Sequence, residues 1–259
     1  AAILHSMTAN LEGLNTLKDM PVTAPETENK TALVIAAHPD DADFGAAGTS
    51  YLWSKEGWTF YYLVCTDGSK GTADPGMEPA ELIRIRREEQ REAARRAGAK
   101  DVFFLDNVDG ELTYTRGFLG EVVRHIRMLK PYAVFTHDPE AFIVRNSFIN
   151  HADHRCTGQV AVDAIYPSAR DRLNFPEHIA EGLETHNVKE IFIWGSEKAE
   201  FEVDISEVVD QKIHALNAHV SQGLGADNPN SDFLKFVRER WRGDDGRYTE
   251  RFRRVVLFR

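Results

Sequence analysis

Five apolar residues in unbroken succession, Ala32–Ala36, run into His38-Pro39-Asp40-Asp41, and this junction constrains the chain more than any other stretch. A continuous apolar run that ends abruptly in polar residues suits a strand buried on both faces of a parallel sheet. Pro39 has no N–H and cannot continue a central strand, so the strand is expected to end near Ala37. Gly45-Ala46-Ala47-Gly48 then lets a helix start close against the sheet. One imidazole and two adjacent carboxylates therefore stand at the carboxyl edge of a central strand, where open α/β sheets bind ligands.

The alternation continues along the chain. Thr59–Thr66, Asp101–Leu105 and Tyr132–Thr136 read as strands. Gly45–Glu56, Pro79–Ala97, Arg116–Leu129 and His151–Ala164 read as helices, the third with Phe118, Val122, Ile126 and Leu129 on one face. Strands alternating with helices imply βαβ units with right-handed crossovers. The expected fold is α/β: a Rossmann-like, mainly parallel sheet flanked by helices on both faces, with a less regular C-terminal part. In that part Glu190–Trp194, Phe201–Ile205 and Phe252–Phe258 read as strands. Glu207–Gln222, capped by Ser206, and Ser231–Trp241 read as helices. Residues 1–30 read as an extension and polar linker in which Leu11, Leu14 and Leu17 suit a short amphipathic helix. One catalytic domain is expected over residues 31–259. The Gly-Ala-Ala-Gly run lacks the G-x-G-x-x-G spacing of a dinucleotide site, and an anionic pair sits where a pyrophosphate would approach.

With 259 residues, 42% of them hydrophobic, the chain can bury one substantial core. A net charge of −10 counts against general affinity for nucleic acid or anionic membrane. Two cysteines, Cys65 and Cys156, are too few for a disulfide framework. No transmembrane run is apparent, and AAILHSM is too short for a signal peptide. A cytoplasmic protein is the resulting expectation.

An Asp at a strand-to-helix turn can be a simple helix cap, and a lone His is usually structural. His38-Pro39-Asp40-Asp41 supplies more than a cap needs. Adjacent ionised carboxylates repel each other, and a nearby cation relieves that repulsion. Imidazole nitrogen with carboxylate oxygen is a normal partial ligand set for a divalent metal such as zinc. A second cluster, His151-Ala152-Asp153-His154, opens a helix at the same sheet edge, its histidines spaced to share one helix face or one turn. Capping does not readily explain two such clusters at one edge.

These motifs resemble a known family. His-Pro-Asp-Asp after the first strand, TDGSKGT at 66–72, Arg86-x-x-Glu89, His-Ala-Asp-His at 151–154 and HVSQ at 219–222 are similar to the LmbE/PIG-L zinc-dependent N-deacetylases. The common HPDDE form has Ala42 at its last position here, with Asp43 one residue later. The resemblance implies a Zn2+ cofactor, or another divalent transition metal, held by His38, Asp41 and His154. It implies a catalytic Asp40 as general base toward a zinc-activated water. His151 would stabilise the oxyanion, and Asp153 would tune His151. It implies substrate contacts from Arg86 and Asp109, a substrate that is an N-acetylglucosamine-type sugar or its conjugate, and a homo-oligomer, trimer or hexamer. Neither nucleic acid nor membrane is an expected partner.

Other residues have ordinary explanations at this level. Asp67, Lys70, His137 and Asp138 suit turns and caps, and His125, His178, His186, His214 and His219 give no signal. A surface ion pair with Glu89 or Glu92 is the competing explanation for Arg86, and a plain turn residue for Asp109. Two other functions stay open: the same metal site used for hydration or conjugate-amide cleavage, and a non-catalytic α/β binding protein.

Overall fold

A computed structural model of the chain describes residues 24–225, 235 and 238–257. The helix expected around Leu11–Leu17 lies outside these residues, as does most of the one expected at Ser231–Trp241. Strands β1 (Thr31–Ala36), β2 (Thr59–Thr66), β3 (Asp101–Asn107) and β4 (Ala133–His137) alternate with helices α1 (Asp41–Lys55), α2 (Pro79–Arg96) and α3 (Arg116–Leu129). A short hairpin of β5 (Ile143–Val144) and β6 (Phe148–Ile149) leads into α4 (Ala152–Asp163). The remainder holds α5 (Pro176–Ala180), β7 (Glu190–Trp194), β8 (Phe201–Asp204), α6 (Val209–Leu216), a single 3-10 turn at Val220–Gln222, and β9 (Thr249–Val256).

Seven strands form one sheet in the order β3-β2-β1-β4-β7-β9-β8. The first five run parallel, and β9 pairs antiparallel with both β7 and β8. The sheet is therefore mainly parallel and Rossmann-like, with helices on both faces. The period of two along β1 divides the core. Ala32, Val34 and Ala36 point into one apolar cluster with Trp53 of α1 and Ala215 of α6. Leu33 and Ile35 point into another with Phe118, Val122 and Ile126 of α3 and Val160 of α4. Both faces of β1 are covered, which is why its sequence is apolar without alternation.

Several boundaries differ from the sequence reading. Helix α1 begins at Asp41, four residues before Gly45, because Asp40 itself makes the turn with φ 95 and ψ −31. Asp41 and Asp43 then lie in the first turn, where the helix dipole favours negative charge. The helix expected over Glu207–Gln222 is shorter, ending at Leu216 before the turn at Val220–Gln222. Ser206 does not cap it: its hydroxyl instead accepts from the Tyr248 N–H at 3.0 Å. At the front of α3, where the sequence reading named no cap, Thr115 Oγ1 accepts from Phe118 N at 3.1 Å.

The order 3-2-1-4-7 places the topological switch between β1 and β4. Chains leave these two neighbouring strands toward helices on opposite faces, opening a crevice at their carboxyl ends. The turn before α1 carries His38–Asp41 into the crevice, and the start of α4 carries His151–His154.

Candidate active site and metal centre

His38, Asp41 and His154 converge in the crevice, with one ligand-type atom from each lying within 4.8 Å of the others. Asp41 Oδ2 stands 3.1 Å from His38 Nδ1, and Asp41 Oδ1 stands 3.2 Å from His154 Nε2. The opposite ring nitrogens are already engaged with oxygen acceptors. His38 Nε2 meets Asp153 Oδ2 at 3.0 Å, and His154 Nδ1 meets Asn150 Oδ1 at 3.0 Å. Both nitrogens of each ring thus face oxygen acceptors, and a neutral imidazole can donate to only one of them. Positive charge at this point, as a ring proton or a bound cation, satisfies both sides, and two imidazoles with one carboxylate are the donor set of an open divalent-metal site. The oxygen partners behind each imidazole are the outer contacts that fix ring orientation at such sites.

The charge states say the same. Burial disfavours charge on His38, but carboxylates of Asp153 and Asp41 on its two nitrogens outweigh burial and raise its pKa to about 10. A proton there does electrostatically what a metal ion would do. Burial would raise Asp41, yet His154 and His137 hold it well below the usual carboxylate range. Asp40 goes the other way: burial, then the charge of Asp41, pushes it up to about 8. Two adjacent carboxylates thus have divergent proton affinities, the pattern that separates an acid–base group from a ligand.

Asp153 departs from its expected role. It is fully buried, and its carboxylate accepts from His38 Nε2, from Gly110 N at 2.7 Å and from Leu112 N at 3.2 Å. Its carboxylate is hydrogen-bonded to His38 rather than to His151, on which it acts only through its charge. Burial would raise its pKa, but these hydrogen bonds lower it. His151 caps α4, its Nδ1 accepting from Asp153 N at 3.1 Å. That bond leaves the ring proton of neutral His151 on Nε2, so this residue can donate without being charged. Burial, then the charge of His38, lowers its pKa.

A model of the family described as PIG-L, GlcNAc-PI de-N-acetylase, matches residues 33–165, which include every residue of this cluster. The chain belongs to the PIG-L family. It is 34% identical over 204 residues to the diacetylchitobiose deacetylase of Thermococcus kodakarensis, covering 79% of this chain and 74% of that one. It is 28% identical to a probable N-acetyl-alpha-D-glucosaminyl L-malate deacetylase 2 of Bacillus subtilis, covering 74% and 83%. Among solved structures, the N,N'-diacetylchitobiose deacetylase of Pyrococcus horikoshii superposes with a TM-score of 0.81 at 30% identity, covering 95% of this chain and 92% of that one. PIG-L enzymes are metal-dependent, and this chain is an N-deacetylase of that family.

Around the PIG-L cluster, Arg86 is buried and makes no surface ion pair with Glu89 or Glu92. Its guanidinium donates to the carbonyls of Gly68 at 2.8 Å and Lys70 at 2.5 Å, and lies 3.7 Å from Asp109 Oδ2. It clamps the loop after β2 against the crevice. Burial lowers its pKa, opposed by the charges of Asp109 and Asp40. Asp109 is also buried, with Oδ1 3.3 Å from His38 Nε2. Asp67 is a turn residue: its Oδ1 accepts from the N–H groups of Ser69 and Asp109.

Two histidines are more important than their sequence context indicates. His137, at the end of β4, lies 3.5 Å from Asp41 Oδ2 and stacks on His154 with centroids 4.3 Å apart. Burial lowers its pKa to about 4. The available signal was its position, the last residue of a strand at the switch point. His219 is fully buried and lies 2.9 Å from Asp43 Oδ2. Its HVSQ motif was the signal.

The crevice opens into a cavity of about 360 Å³ lined by Asp41, His137, His154, Phe44, Phe148 and Trp194, among others. A larger space of about 630 Å³ adjoins it and shares Phe44, Trp194, Gly195, Arg240 and Trp241 as walls.

Proposed function

We propose that the chain is a zinc-dependent deacetylase that removes an acetyl group from an N-acetylated amino sugar bearing a second sugar or another substituent. The observation that carries this reading is the convergence of two imidazole nitrogens and a carboxylate beside a second, adjacent carboxylate. The names of the archaeal and bacillar relatives favour N-acetylglucosamine conjugates. The adjoining cavity favours a substituted sugar, because an acetylated monosaccharide alone has no use for that space. Aromatic walls such as Trp194 and Trp241 suit the apolar faces of pyranose rings.

His38, Asp41 and His154 would hold the metal. Bound there, the metal supplies Lewis acidity toward a carbonyl and lowers the pKa of water to about 7. Asp40 accepts a proton from the attacking water and returns that proton to the departing amine. His151 Nε2–H donates to the oxygen on which negative charge develops. Asp153 fixes the orientation of His38, while Arg86 and Asp109 shape the wall on the side of the loop after β2. Arg86 makes that contribution through the loop it clamps as well as through any direct substrate contact.

The net charge of −10 disfavours nucleic acid as a partner. Among the described residues no helix is long and apolar enough to cross a membrane. We propose a cytoplasmic protein and, by family resemblance, a homo-oligomer, a trimer or hexamer, which sedimentation would test. The functional test is release of one acetate and one free amine per turnover from N,N'-diacetylchitobiose, by protein whose metal has been assayed. Asp40→Asn should keep about one metal per chain and lose about 10²–10⁴-fold in kcat. Loss of metal in that variant would make Asp40 a ligand; near-normal turnover would remove it from the chemistry.

A further inference from the structure

Asp40 adopts φ 95, a strained backbone conformation that L residues other than Asn and Asp seldom take. The strain sits on the residue assigned above as general base. Surrounding structure must hold it.

The holding groups come from three separate parts of the chain. The Asp40 N–H donates to Gln90 Oε1 at 2.8 Å, and Gln222 Nε2 donates to the Pro39 carbonyl at 3.0 Å. These are the two polar ends of a single peptide unit, Pro39–Asp40. Each glutamine is in turn tied to a shared anchor. Gln90 Nε2 donates to Asp43 Oδ2 at 2.8 Å, and His219 Nε2 lies 2.9 Å from that same oxygen. His219 Nδ1 stands 3.5 Å from Gln222 Nε2, which closes the ring. Gln90, Asp43 and His219 are all completely buried, and Asp43 joins the ring through Oδ2 alone, its Oδ1 having no hydrogen-bond partner. Breaking any of these bonds would strand a further buried polar atom, so the ring favours one geometry.

We propose that Gln90, Asp43, His219 and Gln222 are positioning residues that clamp the Pro39–Asp40 peptide and thereby aim the Asp40 carboxylate. The proposal rests on Asp40 being the base. The ring acts on the backbone of Asp40, and none of its four members supplies an atom to the three-residue ligand set. Asp43, one residue beyond the usual end of the motif, serves as the anchor here.

The test combines hydrogen exchange with a double-mutant cycle. Gln222→Met is the primary variant because Gln222 is only partly buried, and Gln90→Met is the second. In metal-free protein, each should speed amide exchange in a peptide covering 38–44, whereas Asp40→Asn should not. In metal-loaded protein acting on N,N'-diacetylchitobiose, each should lower kcat about 10–100-fold with KM within about twofold and metal content unchanged. In an Asp40→Asn background, Gln222→Met should add no further loss, because an aimed group that no longer accepts a proton has nothing left to lose. A purely structural role would leave the losses additive, and that result overturns the proposal. Unchanged exchange at 38–44 in both glutamine variants overturns it without reference to activity. If Asp40→Asn alone leaves turnover intact, the assignment of the base has failed instead.

Discussion

Asp41 is the most heavily engaged side chain of the site. One oxygen accepts from the His38 N–H at 2.8 Å while facing His38 Nδ1, and the other faces His154. Replacing His38, Asp41 or His154 with Ala should therefore lower metal content and activity together. Full metal occupancy in any one variant would remove that residue from the ligand set. His151→Ala is expected to differ: it should keep its metal and lose about 10²–10³-fold in kcat, the usual weight of one oxyanion donor. His219 offers a test by pH. Burial opposes its charge, but the Asp43 carboxylate, with Asp40 and Glu89 nearby, outweighs burial and raises its pKa above 6.5. The stabilisation is then fully present below the unfolded value and is lost as pH rises through the higher folded value. His219→Gln retains a donor but no charge. Its Tm deficit relative to the parent should be larger near about pH 6 than near about pH 9. An equal deficit at both would show that the contact carries no charge. At this scale the ligand candidates were legible because each cluster is contiguous in sequence. Gln90, His137 and His219 were not. Each is a single polar residue whose partner lies tens to more than a hundred positions away, and only the fold brings them together.

At the scale of elements, the site depends on how tightly α4 packs against the end of β4. A Cβ on Gly158 would lie 2.5 Å from the His137 carbonyl oxygen and 3.0 Å from Pro139 N, both backbone atoms that cannot swing aside. Gly158 sits one turn beyond His154, so any added bulk levers that imidazole away from Asp41. Gly158→Ala should destabilise the protein by about 1–3 kcal/mol, the usual cost of overpacking. It should also weaken metal binding, as read by denaturation and by metal titration of the same preparation. Parent-like metal affinity at lowered Tm would show that α4 gives way without moving His154. Strand and helix types through residue 165 were readable because apolar runs and helical periodicity alternate cleanly there. The region after Leu216 was not, because Val220 fits the apolar spacing of a longer α6 while tertiary contacts of Ser221 and Gln222 stop it. Ser221 gives its N–H and hydroxyl to Glu89 at 2.8 and 2.6 Å, which a continuous helix would not permit. The β5–β6 hairpin escaped notice for a different reason: two residues per strand carry too little periodicity to see, and its turn uses Arg145 and Asn146 at positive φ rather than glycine.

Across the whole molecule, the two ends of the sheet sequence meet under α1. Glu250 of β9 is buried and accepts from the N–H groups of Gly48 and Thr49 at 2.9 and 2.8 Å. Lys212 of α6, equally buried, donates to Glu250 at 2.5 Å and to the carbonyls of Asp43 and Phe44 at 3.0 and 2.7 Å. One ammonium and one carboxylate thus bind α1, α6 and β9 into a unit directly behind the ligand turn. Lys212→Met should cost about 3–5 kcal/mol because it strands a buried carboxylate. Adding Glu250→Gln should recover part of that loss in chemical denaturation. A single variant as stable as the parent would show that the pair is dispensable. The sheet order has a further consequence for synthesis. A ribosome emits His38, Asp41 and His154 well before it emits Glu250, which lies 202 positions after Gly48. The nascent chain therefore presents its whole ligand set while β9 is still missing from between β7 and β8, and α1 has no carboxylate beneath it. The buried Lys212–Glu250 pair behind α1 is therefore completed only after every residue of the crevice has been made.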